Sequence, residues 1–163
     1  MIFVTVGTHE QPFNRLVKYM DEWAGTHKER VVIQTGFSTY EPKYCKWKKL
    51  FAYQEMLRGV EKARIVITHG GPSSFIMPLQ MGKIPIVVPR KEEYGEHVNN
   101  HQVDFCNQVA ERQGNIIVID DITELGTVLE NYDEIVKSMK SEIQSNNEKF
   151  CSEFAELVNE LVK

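Results

Sequence analysis

Long apolar runs, paired cysteines and an excess of one charge are scarce or missing in this sequence, and each absence removes a class of function. The three cysteines, Cys45, Cys106 and Cys151, lie far apart with no Cys-x-x-Cys spacing. Neither a disulfide framework nor a zinc site is indicated, and a reducing, cytoplasmic setting is expected. The apolar stretch at 84–89 falls well short of the roughly 20 residues that span a bilayer. The run 2–6 is shorter than a signal-peptide core and has no basic flank before it. Membrane association is therefore expected to be peripheral, through a partner. Nineteen Lys and Arg against 23 Asp and Glu leave a net charge of −4, which gives no general electrostatic reason to bind nucleic acid. The patterns Gly-x-Gly-x-x-Gly and His-Glu-x-x-His are both missing, which disfavours a dinucleotide fingerprint and a helical zinc site. What remains, 163 residues with 42% hydrophobic and 26% charged, is the composition of one globular domain.

The apolar residues come in short β-branched runs separated by helical periodicities. Strands are expected at 2–6, 31–35, 65–68, 85–88 and 116–119, with a weak one at 48–52. Helices are expected through Phe13, Leu16, Val17 and Met20, over 53–63, and from 72 to 81 with a stop at Gly82 and a Pro78 kink. The charged loop 90–96 leads into a further helix carrying Val98, Val103, Phe105, Val109 and Ala110 and ending near Gly114. Asp120 and Asp121 end a strand and cap a helix over 122–129. Continuous apolar strands alternating with helices define an α/β class, a single Rossmann-like doubly wound parallel sheet over residues 1–130. Residues 131–163 form a helical extension with Ile135, Met139, Ile143, Phe150, Phe154, Leu157 and Leu161 in a stripe. That stripe packs either on the parent domain or on a partner.

In such a sheet ligands bind at the loops leaving the strand C-termini. The loop Gly7-Thr8-His9-Glu10-Gln11-Pro12 combines a close-approach glycine with a hydroxyl beside helix-start amides, suited to an anion or to an ordinary turn. The loop Thr68-His69-Gly70-Gly71-Pro72-Ser73-Ser74 strips side chains from the turn, places proline at the first helical position and offers two hydroxyls at a positive dipole end. This favours a pyrophosphate over a plain turn. The run Glu96-His97-Val98-Asn99-Asn100-His101-Gln102 clusters acid, imidazole and amide groups, which suits vicinal hydroxyls of a sugar as well as a solvated helix start. His97 and His101 are four apart, but no third ligand is evident and no metal is expected.

These residues resemble the nucleotide-sugar-binding half of GT-B glycosyltransferases of the family-28 C-terminal type. His69-Gly70-Gly71-Pro72-Ser73-Ser74 matches a His-x-Gly-x-x-Ser motif, and Glu96-His97-x-x-Asn100 matches an acid-amide-x-x-Asn motif. The opening Val4-Thr5-Val6-Gly7-Thr8 and the run Gly95 to Gln102 are similar to catalytic subunits of split transferases in dolichol-linked, capsule and exopolysaccharide assembly. Two positions depart from the pattern. His97 stands in place of an amide, and Met77 stands where many such enzymes carry a ribose-binding Glu, so ribose recognition is expected from elsewhere.

The resemblance implies inverting transfer of a hexose or N-acetylhexosamine from a UDP-sugar, without a metal or other cofactor. Gly7, Thr8, His69, Gly70, Gly71, Ser73, Ser74 and Arg90 would hold the donor diphosphate, and Glu96, His97, Asn100 and Gln102 the sugar. His9 and Glu10 are candidates for the general base. That base usually belongs to an N-terminal domain with no counterpart in these residues. A membrane-anchored subunit presenting a lipid-linked saccharide is therefore expected, with the chain at the inner membrane face. The alternative is a non-catalytic nucleotide-binding or scaffolding subunit.

Overall fold

A computed structural model describes residues 1–140 apart from His9 and Val98. The strands are β1 (Ile2–Thr5), β2 (Val31–Gln34), β3 (Lys46–Lys48), β4 (Ile65–His69), β5 (Ile86–Val88) and β6 (Ile117–Val118). They form one sheet in the order β3-β2-β1-β4-β5-β6, and every neighbouring pair is parallel. The chain winds outward from β1 in one direction, returns, and winds outward from β4 in the other. The crevice between β1 and β4 is thus the topological switch point where open α/β sheets bind ligands.

Both faces of the sheet are covered, and alternation along each strand decides what meets what. Ile2, Val4, Ile65, Ile67, Ile86 and Val88 face one core with Leu16, Val17 and Met20 of α1 (Asn14–Thr26) and Leu125 and Leu129 of α5 (Leu125–Glu130). Phe3 and Val66 face the other side with Val60 of α2 (Tyr53–Lys62) and, packed against them, Met77 of α3 (Pro72–Gln80). Val87 meets Phe75 of α3 and Cys106 of α4 (His101–Gln113) on that same side. This period of two across buried β-branched strands is what a parallel sheet between helix layers requires.

Three elements differ from the sequence reading. The third strand lies at Lys46–Lys48 and not at 48–52, because β2 sets its register through Val32↔Lys46 and Gln34↔Lys48. All three of its residues are exposed, so no buried period marks it. β4 runs on through His69, whose backbone pairs with Val88. The helix expected from residue 97 begins only at His101. Ahead of it a 3-10 turn at Glu92–Tyr94 closes on Gly95 at φ 69°, which turns the chain so that Glu96 is buried. Pro78 lies within α3, which continues to Gln80. Residues 132–140 are helical, and Tyr132 is buried in the parent core with its hydroxyl donating to the Ile84 carbonyl. The rest of the apolar stripe, Ile143, Phe150, Phe154, Leu157 and Leu161, lies outside the described residues.

One buried carboxylate anchors the approach to β3. Asp21 of α1, fully buried, accepts from the Lys43 and Tyr44 N–H groups and from the Tyr40 hydroxyl. Burial alone would raise its pKa, but these donors outweigh it and hold the carboxyl below its ordinary value. A lowered folded pKa contributes stability above the unfolded value, about 4, that is lost as pH falls through the folded value. Asp21→Asn turns one end of the side chain into a donor facing donors. It is expected to cost about 2–3 kcal/mol in urea unfolding at neutral pH, and to flatten the acid limb of the stability curve. A variant as stable as the parent would contradict the anchoring role.

Candidate active site

A cleft of about 610 Å³ opens at the C-terminal ends of the neighbouring strands β1 and β4. Its polar rim is Thr8, His69, Ser73, Ser74 and Gln102, and its wall is apolar, with Phe51, Met56, Val60, Val66 and Met77. Among the described residues none that lines it is Lys, Arg, Asp or Glu. An anion here would be held by hydroxyls, an imidazole and the positive end of α3, not by a cationic side chain.

The imidazole of His69 is the centre of this rim. Its ring lies between two glycines: a Cβ on Gly7 would sit 2.3 Å from Nε2, and one on Gly71 would sit 2.3 Å from Cε1. The Gly71 N–H donates to Nδ1 at 3.1 Å, with the Gln102 amide nitrogen at 3.5 Å from the same atom. Nδ1 is therefore the acceptor, and the proton assigned to Nε2 by this network is donated to Ser74 Oγ, 2.8 Å away. Ser74 accepts from the imidazole and has its own O–H to offer to the cleft. At the opposite lip Gly7 takes φ 77°, and its N–H donates to Thr5 Oγ1. Thr5 Oγ1 also accepts from the Gln34 amide, whose carbonyl accepts from the Phe51 N–H. One buried polar chain thus ties the cleft floor to the segment that follows β3.

The other expected site residues fall into different roles. Gln102 lines the cleft, but its carbonyl accepts from the Gly70 and Arg90 N–H groups. It pins the loops after β4 and β5 to each other. Arg90, expected to meet the diphosphate, is fully buried. Its guanidinium donates to the backbone carbonyls of Val6, Gln11 and Glu96 and lies 5.0 Å over the Phe13 ring. Burial pushes it down to about 10, partly countered by Glu96, so it stays charged at neutral pH. In this structure Arg90 is a cross-tie that joins the loops after β1 and β5 through these carbonyls.

Glu96, expected on the sugar, is only 2% exposed and forms a fork-to-fork pair with Arg15 of α1, both contacts at 3.0 Å. It also accepts from the Lys91 N–H. Asn100 is exposed and its carbonyl accepts from the Glu92 N–H. His97 accepts from the Asn99 N–H through Nδ1. The structure therefore does not gather Glu96, His97 and Asn100 into the cleft as one sugar-binding set. Thr8 and Ser73 are exposed at its rim, and Gly70 packs under Gln102 and Cys106. Glu10 is exposed and is not among the cleft-lining residues, and His9 lies outside the described residues. Burial pushes the Cys106 thiol up to about 12, and burial together with Asp21 does the same to Cys45, so neither is a thiolate at neutral pH.

Sequence reasoning missed Gln34, Leu50, Phe51, Tyr53 and Met56 as cleft residues and Arg15 as the partner of Glu96. A signal existed for Gln34, a lone amide closing an apolar strand at its C-terminal end. None existed for Arg15, whose partner is 81 residues away.

Sheet order and switch-point cleft define an α/β domain of the Rossmann-like type. The family model of the glycosyltransferase family 28 C-terminal domain matches residues 1–161, and the chain belongs to that family. It is similar to the human UDP-N-acetylglucosamine transferase subunit ALG13, with 29% identity over 119 residues, 66% of this chain and 10% of that protein. In fold it is similar to the glycosyltransferase of kitacinnamycin, with a TM-score of 0.63 and 16% identity over 88% of this chain and 38% of that one. The chain thus spans about a tenth of the human relative and well under half of the structural one. Among the described residues no helix is long and apolar enough to cross a membrane.

Proposed function

We propose that this chain binds a UDP-sugar in the β1/β4 cleft and is the donor-binding, catalytic subunit of an inverting hexosyl- or N-acetylhexosaminyltransferase in polysaccharide biosynthesis. The observation that carries this reading is the Gly7–His69–Gly71 sandwich with Ser74 hydrogen-bonded to the imidazole at the start of α3. Family membership supports it, as does the likeness to a protein named as a UDP-N-acetylglucosamine transferase subunit.

In the reaction the acceptor oxygen attacks the anomeric carbon, the bond to the diphosphate breaks, and its electron pair leaves on the phosphate oxygen. Charge grows on that oxygen in the transition state, so donors already aimed there lower the barrier. Ser74 O–H, its polarisation by His69 Nε2–H, the hydroxyls of Ser73 and Thr8, and the α3 dipole supply such donors without a cation from the cleft wall. The apolar wall of Phe51, Met56 and Met77 suits the face of a nucleobase. The acceptor proton needs a base, which we assign to a membrane-anchored partner that presents a lipid-linked saccharide. This assignment is supported by a cleft lining without carboxylates among the described residues.

Isothermal titration of the full chain with UDP, UDP-sugars and NAD tests the reading. UDP is expected to bind and NAD not, and Ser74→Ala is expected to weaken UDP by about tenfold, the worth of one charge-assisted hydrogen bond. Tighter binding of NAD than of UDP, or no heat with any nucleotide, would overturn it. Binding without turnover in the presence of the partner would instead favour a scaffolding subunit.

A further inference from the structure

The amide of Gln102 reaches the His69 ring from a different element. Gln102 is the second residue of α4 and stands 33 residues along the chain from His69. Its Oε1 accepts from the Gly70 N–H at 3.2 Å and from the Arg90 N–H at 3.0 Å. The flipped amide would turn its own N–H groups towards both of these donors, so the end that faces Nδ1 of His69 is the nitrogen. The absence of a side chain at Gly70 admits this arrangement. A Cβ there would lie 2.9 Å from the Gln102 Cβ and 3.1 Å from Oε1.

The consequence falls on a hydrogen at the far side of the ring. With Nδ1 facing the N–H groups of Gly71 and Gln102, the imidazole proton stays on Nε2 and is donated to Ser74 Oγ. The Ser74 hydrogen is then left for an acceptor in the cleft. With the proton on Nδ1 instead, Nε2 would accept from Ser74, and that hydrogen would be taken up by the ring.

We propose that Gln102 is a positioning residue that acts through His69 and fixes the direction of this relay, so that Ser74 offers a donor to an acceptor atom such as a phosphate oxygen. The contact to Nδ1 is long, 3.5 Å, and acts less by its own strength than by what it opposes, since an Nδ1 proton would point at an N–H. The Arg90 N–H helps to fix the amide, so the loop after β5 takes part in setting the state of a ring on β4. The tautomer control belongs to the free chain, and only its use on a phosphate rests on the donor reading.

Nitrogen-15 NMR of the imidazole rings in the full chain without ligand tests the proposal, with His69→Ala assigning the His69 signals among the five histidines. The parent is expected to show a neutral His69 with its proton on Nε2. Gln102→Glu keeps an oxygen for the Gly70 and Arg90 N–H groups but presents an acceptor to Nδ1. Its Nδ1 resonance is expected to move into the protonated range while the circular dichroism stays that of the parent. A residue that only pins two loops would leave the ring spectrum unchanged in Gln102→Glu, so an unmoved Nδ1 resonance overturns the proposal. A parent with its proton on Nδ1 overturns it without any variant. Gln102→Met, which adds no charge, is expected to weaken UDP by about tenfold, and parent-like affinity there would break the link from Gln102 to Ser74. A chain that shows the expected ring spectra but binds no UDP would refute the donor reading and leave the tautomer control standing.

Discussion

Arg90→Met is expected to cost about 3–5 kcal/mol of stability, a large share of the roughly 5–15 kcal/mol available to a domain of this kind. From the loop after β5 the guanidinium donates to the Val6, Gln11 and Glu96 carbonyls. Methionine fills the volume but removes these three hydrogen bonds, at about 1–3 kcal/mol for each acceptor that water cannot reach. Arg90→Lys is expected to recover part of the loss, because an ammonium reaches one or two carbonyls but lacks the planar fork. Urea midpoints at constant slope give the measurement. A loss below about 1 kcal/mol for the methionine variant would show that the cross-tie is dispensable. Because Val6 and Gln11 bracket Gly7 and Thr8, the same variant is expected to weaken UDP binding even where it remains folded.

Gly71→Ala is expected to do the opposite, leaving the fold nearly intact while reducing UDP affinity by at least about tenfold, or 1.4 kcal/mol. Gly71 has ordinary extended backbone angles, φ −72° and ψ 128°, so alanine introduces no strain of its own. The added Cβ would meet the His69 ring at 2.3 Å. The ring must then rotate, which breaks both the Gly71 N–H bond to Nδ1 and the Nε2 bond to Ser74. In a His69→Ala background the collision is gone, so the second substitution is expected to add almost nothing. Titration of the two single variants and the double one measures that coupling. Additive losses would mean that Gly71 acts through something other than the imidazole.

The class of fold was legible because its signals are local. Short β-branched runs at 2–5, 31–34, 65–69 and 86–88, separated along the chain by helical periods, announce parallel strands whatever else the chain does. The third strand, expected at 48–52 and found at Lys46–Lys48, has no buried residue and is defined only by its pairing with β2. The same division runs through the site. Gly7, His69, Gly71 and Ser74 stand at strand ends and a helix start, so their neighbours along the chain already mark them.

Arg90 and Glu96 carry the residue types of ligand-binding groups, and nothing near them in sequence says otherwise. Their partners, Val6 and Arg15, lie 84 and 81 residues away. The amino-acid sequence by itself determined a parallel α/β sheet with a Gly-Gly-Pro-Ser-Ser turn after its fourth strand, because backbone periodicity and turn chemistry are properties of neighbouring residues. Only the tertiary structure decided which charges face a ligand and which bind the loops together, because burial and ion pairing are settled by groups that the fold brings from far along the chain.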